Sequence, residues 1–120
     1  MTLTIRIYHN PRCSKSRETL QLLQQHGVDP EIILYLDNPP DIATVKSLLT
    51  RLGFTDPRQL MRRGEEIYKQ SGLNDPALSE DTLLQAMAEH PKLIERPVVV
   101  NGERARLGRP PENVLEILGD

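Results

Sequence analysis

The sequence predicts an α/β fold, a mixed four-stranded sheet with flanking helices. Three observations predict it. A strand–helix–strand unit fills the first 36 residues, helix signals run from residue 41 to residue 90, and two strands joined at Asn101-Gly102 precede a last helix. A βαβ unit makes a parallel pair with a right-handed crossover, and a hairpin makes an antiparallel pair. The sheet must therefore be mixed.

Leu3, Ile5 and Ile7 alternate with Thr4, Arg6 and Tyr8, the period of a half-buried strand. Helix formers follow from Ser14, with Leu20, Leu22 and Leu23 as the apolar stripe and Gly27 as the closing residue. The continuous run Ile32-Ile33-Leu34-Tyr35-Leu36 predicts a second, buried central strand over residues 31–36. Asn38-Pro39-Pro40 breaks the chain and Asp41 is placed to cap a helix, whose Val45, Leu48, Leu49 and Leu52 share one face before Gly53. Residues 54–78 are polar and rich in Gly and Pro, with short helices expected over 57–62 and 65–71. Ser79 opens a helix that turns Leu83, Leu84 and Met87 inward, and Pro91 ends it. Val98-Val99-Val100 and residues 103–107 flank Asn101-Gly102, which predicts a type I′ hairpin turn. Pro110 and Pro111 suit the start of a final helix carrying Val114, Leu115, Ile117 and Leu118.

A chain of 120 residues supports one core, and without repeats, low-complexity tracts or linkers it is read as a single domain, 1–120. With no Trp and one Phe, that core must be built from Leu, Ile and Val. The net charge of −2 gives no general attraction to nucleic acid or anionic membranes. No apolar run approaches the roughly 20 residues needed to span a bilayer, and MTLTIRIYHN lacks the layout of a signal peptide. A lone cysteine cannot form an internal disulfide, so a cytoplasmic location is expected. One Cys and three scattered His give no metal-ligand cluster, so no metal is expected.

That cysteine, Cys13, falls at the junction of the first strand and first helix. A thiol at a helix N-terminus faces unpaired N–H groups and the positive end of the helix dipole, both of which favour thiolate. Arg12, Lys15 and Arg17 crowd the same turn. A cysteine meant for burial would not sit among Asn, Pro, Arg, Ser and Lys. Cys13 reads as a nucleophile. Cys13-Ser14-Lys15-Ser16 has Ser where a dithiol motif would have its second Cys, so a second sulfur must come from outside the chain. Ser16 can donate a hydrogen bond to the thiolate and so tune it. The position six after Cys13 is Thr19, not the Arg of the C-x5-R loop of cysteine phosphatases, which counts against phosphate-ester hydrolysis. An oxyanion approaching a thiolate needs cationic donors to offset repulsion, and guanidinium supplies paired N–H bonds. Arg62, Arg96 and Arg109 are the candidates; Arg63, Arg104 and Arg106 read as surface residues.

The order of the elements resembles that of the thioredoxin fold, in which the reactive cysteine follows the first strand and a cis-proline precedes the third. Pro97, directly before Val98, takes that place. Tyr8-His9-Asn10-Pro11-x-Cys13, Ile33-Leu34-Tyr35-Leu36, Asn38-Pro39-Pro40, Arg96-Pro97-Val98-Val99-Val100 and Arg106-Leu107-Gly108-Arg109-Pro110 together resemble the glutaredoxin-linked arsenate reductase (ArsC) family. The likeness runs from about residue 5 to 118. Well-established reductases tend to read C-G-T-S-R where this chain has Cys13-Ser14-Lys15-Ser16-Arg17, as in the YfgD-type subgroup.

The resemblance implies a thioredoxin-like fold with an inserted helical segment. It implies that Cys13 attacks arsenate, that Arg62, Arg96 and Arg109 hold the oxyanion and the thioarsenate adduct, and that His9 influences the thiol. It also implies glutathione as co-substrate and glutaredoxin as protein partner, with no tightly bound cofactor. Two other classes share the scaffold: a Spx-like regulatory binding protein, whose C-x-x-C switch Ser16 removes here, and a glutathione-linked thiol reductase with another substrate.

Overall fold

A computed structural model describes residues 5–118. They cluster into two compact units, one formed by the chain up to Asn38 and from Arg96 onward, the other by Pro39–Glu95. The first unit contains the sheet. Its strands are β1 (Ile5–Tyr8), β2 (Glu31–Ile33), β3 (Val98–Asn101) and β4 (Arg104–Leu107), in the order β2-β1-β3-β4. β1 runs parallel to β2 and antiparallel to β3, and β3 is antiparallel to β4. The mixed sheet and its connections follow the expected thioredoxin-like α/β plan. Leu3 and Thr4, assigned to the first strand from their alternation, lie outside the described residues.

Helix α1 (Ser14–Gln25) crosses between β1 and β2 and ends at Gly27, whose φ of 78° only glycine adopts without cost. Leu23 of α1, Ile7 and Val99 of the paired central strands, and Val114 and Ile117 form one fully buried cluster. The two last residues belong to a 3₁₀ helix, Pro111–Ile117, where an ordinary helix was expected. Burying such side chains contributes about 1.5–3 kcal/mol each. The cluster therefore anchors α1 to the strand that delivers Cys13.

Three further expectations change. β2 is three residues long and lies at the sheet edge, with Ile32 47% exposed. The apolar run continues past it, but Leu34 starts a turn, its carbonyl accepting from the N–H groups of Asp37 and Asn38 at 3.0 and 2.9 Å. The hairpin corner is Gly102-Glu103, because Asn101 pairs with Arg104 as a strand residue. Only Gly102 has positive φ, the requirement of a II′ turn and not of I′. The Asn101 side-chain amide is engaged elsewhere, donating to the Ile117 carbonyl at 2.5 Å.

The second unit is helical. Helix α2 (Ile42–Leu52) begins at Asp41, whose Oδ1 accepts from the Thr44 N–H at 2.8 Å, and stops at Gly53 with φ 76°. Its Val45, Leu48, Leu49 and Leu52 are buried, and it packs on α4 (Glu80–Glu89). Ser79 caps α4, accepting from the Thr82 N–H at 3.2 Å, and Leu83, Leu84 and Met87 are its buried residues. Between them stand a 3₁₀ turn, Pro57–Leu60, and the short helix α3 (Glu66–Gln70), each a little shorter than expected. Met61 forms an isolated antiparallel bridge with Ile94, which fixes the backbone on either side of Arg62 and Glu95.

Candidate active site

β1 delivers the segment His9–Cys13 to the N-terminus of α1. Cys13 is the N-cap residue, its backbone extended (φ −96°, ψ 124°) and its carbonyl accepting the first helical bond, from Arg17 at 3.0 Å. The turn leading to it is self-braced. The Asn10 carbonyl accepts from the Cys13 N–H at 3.0 Å, and Asn10 Oδ1 accepts from the Arg12 N–H at 3.0 Å. An N-cap side chain points at the N–H groups of the second and third helical residues. Here those are Lys15 and Ser16, and the atom presented to them is sulfur.

The Cys13 thiol is partly exposed, and its pKa is lowered. Burial opposes this and is the largest single influence. The Ser16 N–H, the Arg96 guanidinium beside the sulfur and the Lys15 N–H together outweigh it. The cations expected to act on the sulfur do other things. Arg17 donates to the Pro11 carbonyl at 3.0 Å, and Lys15 pairs with Glu18 at 3.6 Å. The guanidinium that matters is Arg96, far away in sequence and brought close by β3.

Ser16 acts through its backbone. Its hydroxyl, fully buried, lies 2.7 Å from His9 Nδ1 and accepts from the Asn10 N–H at 3.0 Å. The hydroxyl expected to reach the thiolate is thus engaged with the end of β1, and the N–H is what faces the sulfur. His9 is also buried, and its pKa is lowered, first by burial and then by the charge of Arg17. A neutral imidazole bonded to Ser16 therefore ties β1 to the first turn of α1 at pH 7.

Arg96 and Arg109 come together in the first unit. Arg109 Nη1 donates to the Arg96 carbonyl at 3.2 Å. Arg96 Nε is shut off from solvent and finds no hydrogen-bond partner among the described residues. The Arg96–Pro97 peptide is cis, as expected, and so is Arg109–Pro110, for which there was no such expectation. Arg62 belongs to the second unit, where it bonds Glu65 and approaches Glu95 at 3.8 Å through Nε. Arg106 pairs with Glu116 at 2.8 Å, and Arg63 and Arg104 are exposed.

Two residues near the arginines escaped sequence reasoning. Thr19, fully buried on α1, sends Oγ1 to the Lys15 carbonyl at 2.8 Å and toward the Gly108 carbonyl at 3.4 Å. Gly108 donates its N–H to the Pro97 carbonyl at 2.9 Å. A glycine just after a strand and away from any turn is a sign of close backbone approach, and this one lies directly before Arg109.

This geometry defines a class: a thioredoxin-like protein with one cysteine of lowered pKa at a helix N-terminus, beside an arginine that precedes a cis-proline. The chain belongs to the ArsC family, whose sequence profile matches residues 8–117. It is 58% identical to the uncharacterized protein YfgD of Escherichia coli K12, over 99% of this chain and 100% of that protein. It is 50% identical to the arsenate reductase of Haemophilus influenzae, over 97% of this chain and 100% of that protein. Among solved structures, the arsenate reductase from Vibrio cholerae superimposes with a TM-score of 0.96 at 54% identity, covering 98% of this chain and 100% of that one.

Proposed function

We propose that this protein is an arsenate reductase in which the Cys13 thiolate attacks arsenic. The carrying observation is the Arg96 guanidinium set beside a Cys13 sulfur of lowered pKa, with its buried Nε lacking a hydrogen-bond partner among the described residues. Such a donor is costly to leave unpaired and suits an oxyanion held next to the sulfur. Arg109, anchored on the Arg96 carbonyl, adds a second guanidinium. Arg62 is part of this reading through the resemblance alone, and in the second unit it is paired with Glu65.

In the first step the thiolate sulfur forms a bond to arsenic(V), and an arsenate oxygen leaves as water after protonation. Glutathione thiolate then attacks the Cys13 sulfur. The sulfur–arsenic bond breaks with its electron pair going to arsenic, which departs as arsenite, and a Cys13–glutathione disulfide remains. Glutaredoxin takes up the glutathione by exchange at sulfur and restores the Cys13 thiolate. Glutathione is a co-substrate in this scheme and no resident cofactor takes part. The location proposed for this chemistry is the reducing cytoplasm.

The test is an arsenate reduction assay with glutathione and glutaredoxin, run beside Cys13→Ser. Wild type should turn over and the variant should not. Equal activity in both, or none in either, would remove the assignment.

A further inference from the structure

We propose that Gly108 is a positioning residue for oxyanion binding, holding Arg109 against Arg96 through a backbone approach to Thr19 and Pro97 that no side chain permits. The inference rests on the reading of Arg96 and Arg109 as oxyanion ligands. A Cβ built on Gly108 would lie 2.7 Å from Pro97 Cγ and 2.9 Å from Thr19 Cγ2, and closer still to Thr19 Oγ1. All three separations are inside van der Waals contact, so the neighbours or the loop would have to shift. Neither can shift easily. Thr19 is fully buried on α1 with its hydroxyl bonded to the Lys15 carbonyl, and Pro97 has its ring fixed and its own carbonyl bonded to the Gly108 N–H at 2.9 Å. The φ of Gly108 is not in the left-handed region, so the backbone itself would accept alanine. Space is the sole constraint.

The consequence falls on the next residue. The Gly108 backbone is held on two sides: its N–H by the Pro97 carbonyl, and its Cα face by the Thr19 and Pro97 side chains. Arg109 leaves this seat at one fixed point and reaches the carbonyl of Arg96, the residue before Pro97. One methyl group at position 108 would move that point away from the helix and the proline together. The two guanidiniums would then lose their relative placement, while Cys13 would keep its own helix terminus.

A double-mutant cycle on Gly108→Ala and Arg109→Ala tests this, with arsenate as substrate. Each single variant should raise KM for arsenate about tenfold or more, the scale of a hydrogen bond to a charged group. The double variant should be no worse than Arg109→Ala alone, because a misplaced arginine and a missing one fail alike. Losses that multiply, or an unchanged KM in Gly108→Ala, would overturn the proposal; a general folding defect would also lower kcat and multiply. Should Gly108→Ala not fold, Thr19→Ala loosens the same seat from the helix side and takes its place in the cycle. Protection of Cys13 from alkylation by inorganic sulfate gives the same cycle without turnover. A chain that binds sulfate through Arg109 and Gly108 but reduces no arsenate would sink the functional reading and leave this inference standing. If sulfate gives no protection to wild type, both fall.

Discussion

At the scale of single residues, opposing influences meet at Cys13, and the net effect lowers its pKa. Burial pushes the thiol up, and two backbone N–H groups and one guanidinium push it down. Removing Arg96 deletes the one side-chain charge among these influences. Arg96→Ala should therefore move the midpoint of iodoacetamide reactivity against pH toward the free-cysteine value of about 8.5. An unchanged midpoint would mean that the helix terminus alone sets the thiolate. His9 carries a pH dependence whose sign is fixed. Its folded pKa lies below the unfolded value of about 6.5, so in the window between the two the unfolded chain binds more protons. Stability must then fall as pH drops from 7 through that window. Urea midpoints taken across it should show this slope, and His9→Gln should flatten it.

The element that matters most is the first turn of α1. Its role rests on main-chain N–H groups, which no side-chain substitution except proline removes. Ser16→Ala should therefore leave the Cys13 alkylation midpoint below that of free cysteine while costing stability, since the hydroxyl's bonds to His9 and the Asn10 N–H are lost. A midpoint that returned fully to the free value would show that the hydroxyl, not the N–H, tunes the sulfur. The helical unit offers a parallel case without chemistry. Ser79→Ala removes the cap of α4 and should lower unfolding stability by about 1 kcal/mol, read from the denaturant midpoint.

At the scale of the whole molecule, what the sequence shows depends on the range of the interactions involved. The caps at Asp41 and Ser79, the stop at Gly53 and the apolar faces of α2 and α4 are local, and the structure has them where the residues indicate. The edge position of β2 is not local. A continuous apolar run looks the same whether one or both sides of a strand are paired, so Ile32 could not be distinguished from a central residue. The Gly102-Glu103 corner was hidden because Asn101 also pairs with Ile5 of β1 and its side chain bonds the Ile117 carbonyl, both distant in sequence. Cys13 stood out through its charged neighbours, yet the arginine acting on it comes from the entry to β3, far away in sequence, and the Gly108 seat involves no charge at all. The same whole-chain view bears on the reductant proposed for this chemistry. In 120 residues there is one cysteine, so no second thiol of this chain can release an adduct on Cys13. Oxidised protein formed with arsenate and glutathione should gain the mass of one glutathione at Cys13, and adding glutaredoxin should remove it. Glutathione omitted from the assay should abolish multiple turnovers while leaving the first attack intact. Sustained turnover with a phosphine and no thiol, or a Cys13–Cys13 dimer as the only oxidised species, would show that the sulfur is resolved by another route.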